Sequence, residues 1–446
     1  MNTDAMPAIL GGTPVRSQPF PDRRTIGKEE TEAVLRVLES DCLSAFIGGA
    51  GEYFNGGREV RAFEQQWAER EGFKHAISVN SWTSGLIIAC GSVGIQPGDE
   101  VIVPPYTMSA SATAPMFYGG IPVFADVDPT TFCLDPDSVA SCITERTKAI
   151  MVVHLFGRCA PMDEILALAR QHDIKVIEDA AQAPGVYDGD RAVGAIGDVG
   201  GFSLNYHKHI HTGEGGMLVT NDDAIAEKCR LIRNHGENVH DEKEVDDPVN
   251  IIGGNYRLTE LQAAIGIEQL KRLDDILDTR NELAHHFASR LNRVPGLSAT
   301  IPQGRRSHAY YIFPFLYDAD QVGLSRDQFV QAVHAELPQA TDFESTPLEQ
   351  GYVRPLYLSR IYQDKCGFGP QGQPWAYQPD VDYCYEKGIC PVTEDLHERK
   401  MLLSPLIREP LSTSDIDDLA DAIDRVASHA PEIRDSLENS AKPASM

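Results

Sequence analysis

The sequence predicts an α/β fold: a large domain built on a mostly parallel sheet, followed by a smaller α+β domain. Three observations lead there. From about residue 75 to 220, short β-branched runs alternate with helical patterns at a spacing that implies parallel strands covered on both faces. From about residue 280 onward the pattern changes to a helix, one strand and another helix. The length, 446 residues, exceeds what a single hydrophobic core ordinarily organises.

Taken in order, the strand runs are "HAISVN", "EVIVPP", "IPVFADV", "AIMVVHLFG", "IKVIEDA", "GGFSL" and "GGMLVTN". Helices are expected from Ser84, near Ser109 and near Met162. The segment "GGNYRLTELQAAIGIEQLKRLDDIL" leads into one long helical stretch. Its Leu258, Leu261 and Ile265, and then Leu270, Leu273 and Leu277, recur at intervals of three and four, and it is expected to link the domains. Beyond it, Leu283, Phe287 and Leu291 share a helical face, "HAYYIFPFLYDA" reads as a strand and "SRDQFVQAVHAEL" as a helix. Residues 340–385, rich in Pro, Gly, Tyr and Gln, read as a long ordered loop or insertion. The tail after Ser436 is expected to fray. The boundaries that follow are 1–278 for the N-terminal segment and large domain, and 279–446 for the small domain with its insertion.

Composition narrows the function. Hydrophobic residues at 42% and charged residues at 24% fit a soluble globular chain, and no apolar run approaches the roughly 18 residues of a membrane span. A formal net charge of −27, with no Lys/Arg-rich stripe, argues against a nucleic-acid partner. Nine cysteines without a CxxC pair predict reduced thiols. The first thirty residues lack a basic flank followed by an apolar core, so no secretory leader is expected and a cytoplasmic location is.

The chemistry concentrates in "FSLNYHKHIHTGEGGMLVTND", residues 202–222. His207, His209 and His211 alternate and would share a face of an extended segment, as zinc ligands can. However, the glycines that follow bend the chain, and no Cys or carboxylate at a familiar spacing completes a ligand set. No metal is expected. Lys208 gains meaning from distant segments that the fold brings to the same sheet edge. In "VIEDAAQAPG", Asp179 and Gln182 emerge from an apolar run, where a carboxylate is costly without a cationic partner. A protonated pyridine nitrogen is such a partner, and a carboxylate holding that proton makes pyridoxal phosphate a better electron sink. Thr83 and Ser84, where a strand turns into a helix, offer hydroxyls and free N–H groups to a phosphate. Taken alone each piece is weak: Asp179 reads as a helix cap, and Thr83 and Ser84 would cap the following helix in any protein, the reading to prefer for each by itself. Together they supply a lysine for an aldehyde, an anion for a ring nitrogen and a cradle for a phosphate.

The stretch from "VIVPPYTMSASATAPMFYGGIPVFADVDPTTF" to "AIMVVHLFG", then "KVIEDAAQAPG", the lysine segment and "NYRLTELQAAIGIEQL" in that order resemble the DegT/DnrJ/EryC1/StrS family over about residues 10–430. That resemblance implies fold-type I, pyridoxal-phosphate-dependent aminotransferases acting on keto sugars or cyclitols. By it, Lys208 is the lysine that binds the cofactor covalently and then shuttles protons. Asp179 faces the pyridine nitrogen, Gln182 the ring hydroxyl, and Ser203, Thr83 and Ser84 the phosphate. Asn255 reaches across a homodimer interface to the neighbour's phosphate. Two departures stand out: Trp82 occupies a position where many members have Gly, and Met108 one where many have a stacking aromatic residue. His207, His209 and Arg158 match no assignable family position and are read as substrate contacts or surface groups.

Family dehydratases replace the lysine with histidine, so Lys208 favours transamination from glutamate or glutamine to a nucleotide-linked keto sugar or a cyclitol ketone. The alternative is a dehydratase or aminohydroxybenzoate-synthase-like enzyme with the same cofactor. In "GYVRPLYLSRIYQ", Arg354, Tyr357, Arg360 and Tyr362 suit hydroxyl or phosphate recognition, or a solvated loop at a dimer surface.

Overall fold

Seven strands build the main sheet of the computed structural model, which describes residues 5–243, 247–304, 306–341 and 343–441. They are β1 (His75–Val79), β2 (Glu100–Val103), β3 (Ile121–Phe124), β4 (Thr147–Val153), β5 (Lys175–Asp179), β6 (Val199–Ser203) and β7 (Gly216–Thr220). Their order is β1-β7-β6-β5-β4-β2-β3. Only β7 runs against its neighbours; all other pairings are parallel. The remaining strands therefore present their carboxyl ends along one edge, the place where open α/β sheets bind ligands.

The strands are apolar because both faces are covered. On β4, Ala149 and Met151 enter a core with helices α3 (Trp82–Ser92) and α5 (Asp223–Arg233), while Ile150 and Val152 enter the opposite core with α4 (Met162–His172). Successive strand side chains point to opposite faces, so an unbroken apolar run is what two covered faces require. Preceding β1, α1 (Lys28–Glu39) and α2 (Arg58–Glu71) flank the same domain.

The expected long linking helix is two helices, α6 (Glu260–Lys271) and α7 (Leu273–Leu291), broken at Arg272. The break lets α7 serve two cores. Leu273, Ile276 and Leu277 pack in the large domain, whereas Leu283, Phe287 and Leu291 pack in the small one. The small domain holds an antiparallel sheet of β8 (Leu297–Ser298), β9 (Phe313–Tyr317), β10 (Glu349–Gln350) and β11 (Met401–Ser404), in the order β8-β9-β11-β10. Helices α8 (Arg326–Ala335), α9 (Thr413–Ser428) and α10 (Ala430–Ala441) complete it. Helix α10 continues to Ala441, past the Ser436 at which fraying was expected, because Ile433 anchors it in the core. The N-terminal segment crosses onto this domain: Phe20 joins its core, and the Ala8 and Val15 N–H groups donate to the buried Glu336 carboxylate.

The tyrosines of the 340–385 segment correct the sequence reading. Tyr357 and Tyr362 are buried, not offered to substrate, and with Tyr385 they surround Phe124 on edge strand β3 at ring separations of 5.6, 5.2 and 5.7 Å. The Tyr385 hydroxyl donates to the Pro122 carbonyl at 2.7 Å, satisfying an edge carbonyl that would otherwise be open to another strand. Arg354 and Arg360 are exposed, and Arg360 pairs with Asp364.

Candidate active site

A cavity of about 240 Å³ opens at the carboxyl edge of the sheet. Parallel strands deliver its lining: Ser81, Trp82 and Thr83 follow β1, Thr107 and Met108 follow β2, Val153 ends β4, and Ser203, His207 and Lys208 end or follow β6. From the β5 end come Asp179, Ala181 and Gln182. Tyr311 and Tyr352 reach in from the small domain.

Lys208 is 8% exposed. Burial lowers its ammonium to about 8, opposed by the nearby Asp179 carboxylate, which favours the charged form. Its Nζ lies over the Tyr311 ring, 4.1 Å from the centroid. The backbone here is clamped from the N-terminal segment: the Arg23 guanidinium donates to the carbonyls of Lys208 at 2.5 Å and His209 at 2.9 Å, and also pairs with Glu409 and Glu344. The sequence carried no signal for Arg23, whose contacts are all long-range.

Asp179 is buried, yet its three donors are neutral. Trp82 Nε1 gives to Oδ1 at 2.7 Å, the Ala181 N–H gives to Oδ1 at 3.2 Å, and Ser111 Oγ gives to Oδ2 at 2.7 Å. A carboxylate dehydrated in this way is stabilised further by a bound cation, and a protonated ring nitrogen fits that need.

Gln182 is fixed in orientation. Its Oε1 accepts the Phe156 N–H at 2.6 Å, and its Nε2 donates to the Tyr352 hydroxyl at 3.1 Å. With the acceptor used inside the protein, Gln182 offers donors to the cavity, which suits an anionic ring oxygen. Phe156 holds φ 58°, a costly value for a buried aromatic residue, and thereby turns its N–H to Gln182.

For the phosphate, Thr83 and Ser203 line the cavity at the start of α3, where first-turn N–H groups lack intrahelical acceptors. Ser81 caps that helix, accepting the Ser84 N–H, and its hydroxyl also meets the Ser84 hydroxyl at 2.9 Å. Ser84 is thus committed to the cap and is absent from the cavity lining, while Ser81 joins it. Met108 lines the cavity, 55% exposed, with its sulfur accepting the Ala110 N–H at 3.0 Å. Asn255 lies outside its own chain's cavity, exposed, with its side-chain oxygen accepting from Arg257 at 2.7 Å.

The three histidines go separate ways. His207 lines the cavity, and burial beside Lys208 lowers its imidazole to about 4. His209 is fully buried and bonded to the Ala309 carbonyl; His211 meets the Thr25 hydroxyl. Arg158 is outside the cavity. Tyr311, Tyr352 and Ser111 were missed from the sequence. Tyr311 lies two residues before β9, in "HAYYIF", where nothing local separates it from a core tyrosine.

The residues present fit pyridoxal phosphate: an attaching lysine, an anion for the ring nitrogen, an oriented amide and a helix start occupy one cavity. Comparison with known proteins agrees. Residues 25–424 match the DegT/DnrJ/EryC1/StrS aminotransferase family. The chain is similar to a GDP-perosamine synthase of Caulobacter vibrioides, 42% identical over 63% of this chain and 74% of that protein. It is also similar to an L-glutamine:2-deoxy-scyllo-inosose aminotransferase of Streptoalloteichus tenebrarius, 35% identical over 80% of this chain and 82% of that protein. Among solved structures, an aminotransferase from Psychrobacter cryohalolentis superposes with a TM-score of 0.75 at 30% identity, covering 93% of this chain and all of that one. No helix among the described residues is long and apolar enough to cross a membrane.

Proposed function

We propose a specific function from one premise: the chain belongs to the DegT/DnrJ/EryC1/StrS aminotransferase family. The family is pyridoxal-phosphate-dependent and of fold type I, and its members include aminotransferases of sugars and cyclitols. The finer reading is that this chain moves an amino group from L-glutamate or L-glutamine to the ketone of a nucleotide-linked sugar or a cyclitol. The observation that carries it is the buried Lys208 sharing a small cavity with Asp179.

The cofactor supplies a carbonyl that takes up the donor's nitrogen and a ring that accepts electrons from the donor's α-carbon. The protein does the rest. Asp179 holds a proton at the ring nitrogen. Gln182 donates toward the ring oxygen, and Thr83 with Ser203 receives the phosphate at the start of α3. Lys208 first attaches the cofactor. Its Nζ, when free, would be the group that takes and returns the proton at the donor's Cα. An amine lowered to about 8 does this far more readily near neutrality than one at the usual 10.4. Tyr311 and Tyr352 close the cavity from the small domain and limit water.

We further infer that two chains form the working unit, with Asn255 serving the partner's phosphate. Its exposure and its position outside its own cavity support that reading.

Borohydride reduction of the purified protein followed by peptide mass spectrometry tests the site: the pyridoxyl adduct is expected on Lys208. An adduct elsewhere refutes the assignment. Supplying the aminated cofactor form with a panel of keto sugars and cyclitol ketones, and recording which restores the visible absorbance, identifies the acceptor class.

A further inference from the structure

The departure at Trp82 has a structural consequence. Trp82 lines the cavity but is nearly fully buried, its indole packed against Gly85 of α3 and Gly201 of β6. Two glycines make room for it. A Cβ at Gly85 would stand 2.4 Å from Trp82 Cε3, and one at Gly201 would meet the Met217 carbonyl at 2.0 Å as well as Trp82 Cζ3 at 2.6 Å. Gly85 is in the interior of α3, where glycine is unfavourable by about 1 kcal/mol relative to alanine, so the space it leaves is its explanation. From this seat Nε1 donates to Asp179 Oδ1 at 2.7 Å. The other indoles do nothing comparable: Trp375 donates to the Tyr385 hydroxyl, and Trp67 Nε1 has no partner among the described residues.

A carboxylate offers about four acceptor positions, two on each oxygen. On Asp179, Trp82 and Ala181 fill Oδ1, and Ser111 fills half of Oδ2. The one position left is on Oδ2. We propose that Trp82 is a positioning residue for Asp179: its indole N–H saturates Oδ1 and stabilises the anion, so that the remaining lone pair of Oδ2 is the one that holds the proton at the cofactor's ring nitrogen. The proposal rests on the reading of Asp179 as the acid facing that nitrogen. Trp82 and Gly85, one turn apart in α3, and the distant Gly201 form one unit in it that seats a single buried donor. A glycine at position 82 would have no side chain with which to make this bond.

Trp82→Phe removes the donor and keeps an aromatic ring in the seat. A hydrogen bond to a charged group is worth about 1.5–3 kcal/mol, a factor of roughly 10 to 100. Pyridoxal phosphate binding to Trp82→Phe is therefore expected to be at least about tenfold weaker, with a correspondingly higher Kd. With cofactor labelled at the ring nitrogen, its ¹⁵N resonance should move from the protonated toward the unprotonated position, part of the way that Asp179→Asn moves it. In the double variant the Trp82→Phe effect should largely vanish, because the charge it serves is gone. A second measurement does not depend on the Trp82 variant: in ¹⁵N-tryptophan-labelled protein, Asp179→Asn should shift the Trp82 indole resonance and leave those of Trp67 and Trp375 in place.

If Asp179→Asn leaves the ring-nitrogen resonance unmoved, the underlying reading of Asp179 fails and the proposal with it. If Asp179→Asn moves it but Trp82→Phe does not, or the two effects simply add, the reading of Asp179 stands and the role of Trp82 is overturned. An unmoved Trp82 indole resonance in Asp179→Asn overturns it as well.

Discussion

Lys208 Nζ sits 4.1 Å from the centre of the Tyr311 ring, so a lysine on the large domain's sheet edge is covered by the segment just before β9 of the small domain. Burial of the whole side chain, opposed by the nearby Asp179 carboxylate, lowers its ammonium to about 8. The folded apoprotein therefore disfavours the protonated lysine relative to the unfolded chain, where the amine titrates near 10.4. Below about pH 8 the fold bears the full burden of a buried ammonium. Between about 8 and 10.4 the unfolded chain holds more protons, so stability from this group rises with pH; above that range the burden is gone. Lys208→Met is accordingly expected to be more stable than the parent as apoprotein at pH 7, by up to about 3 kcal/mol from this cause. The margin should shrink as pH rises through 8 toward 10. Urea midpoints of the two apoproteins across that range check it, and a margin independent of pH refutes it.

Gln182 joins the site to the strained turn at Phe156. Gln182→Ala leaves the buried Phe156 N–H without an acceptor, at a cost of about 1–3 kcal/mol, and removes the donor proposed for the ring oxygen. Gln182→Glu keeps the acceptor and loses the donor. The alanine variant should thus lose both apoprotein thermal stability and turnover, whereas the glutamate variant should lose turnover with little change in melting temperature. Equal melting temperatures for Gln182→Ala and the parent would contradict this account.

Phe124 is the anchor of the 355–390 segment, with Tyr357, Tyr362 and Tyr385 packed around it. Phe124→Ala should lower stability by about 3–5 kcal/mol, as expected for deleting a buried aromatic ring. Loosening the cover of β3 should also admit protease near residues 365–372 before the rest of the chain is cut. Denaturant titration and timed proteolysis measure the two effects. Uniform cleavage would show that the segment is held by something other than this cluster.

Asn255 provides the test of a shared site. Lys208→Ala and Asn255→Ala chains, each impaired alone, should regain activity when mixed, because one site of each heterodimer then carries neither lesion. Cofactor affinity of the parent should also fall on dilution below the dimer range, since association and binding are linked. Heterodimers verified by mass yet inactive, with an impaired Asn255→Ala parent, exclude the arrangement.

The local pattern in the chain was enough for the strands and for the groups at their ends. Apolar runs bounded by turn residues mark β4, β5 and β6, and the residues that leave those runs, Asp179, Gln182, Ser203 and Lys208, are polar groups that a buried edge would not carry without use. The linking helix was legible as a helix but not as two, because Arg272 is an ordinary helix former and the break answers to the two cores that α7 must serve. The 340–385 tyrosines were ambiguous for a similar reason: a tyrosine in a Pro/Gly-rich stretch looks the same whether its ring meets substrate or Phe124.

What the sequence determined by itself was therefore the α/β class and the order of the strands along the chain, which follow from periodicity and residue type over a few neighbouring positions; the proposed roles of Lys208, Asp179 and Gln182 came from the resemblance of whole motifs. Only the tertiary structure decided where side chains point and which distant residues they meet. It turned the Trp82 indole beneath α3 onto an acid 97 residues away, committed Ser84 to a helix cap, and brought Tyr352 to Gln182 across 170 residues. The physical reason is that a hydrogen bond or a ring contact depends on distance and direction in three dimensions, which packing sets and sequence spacing does not.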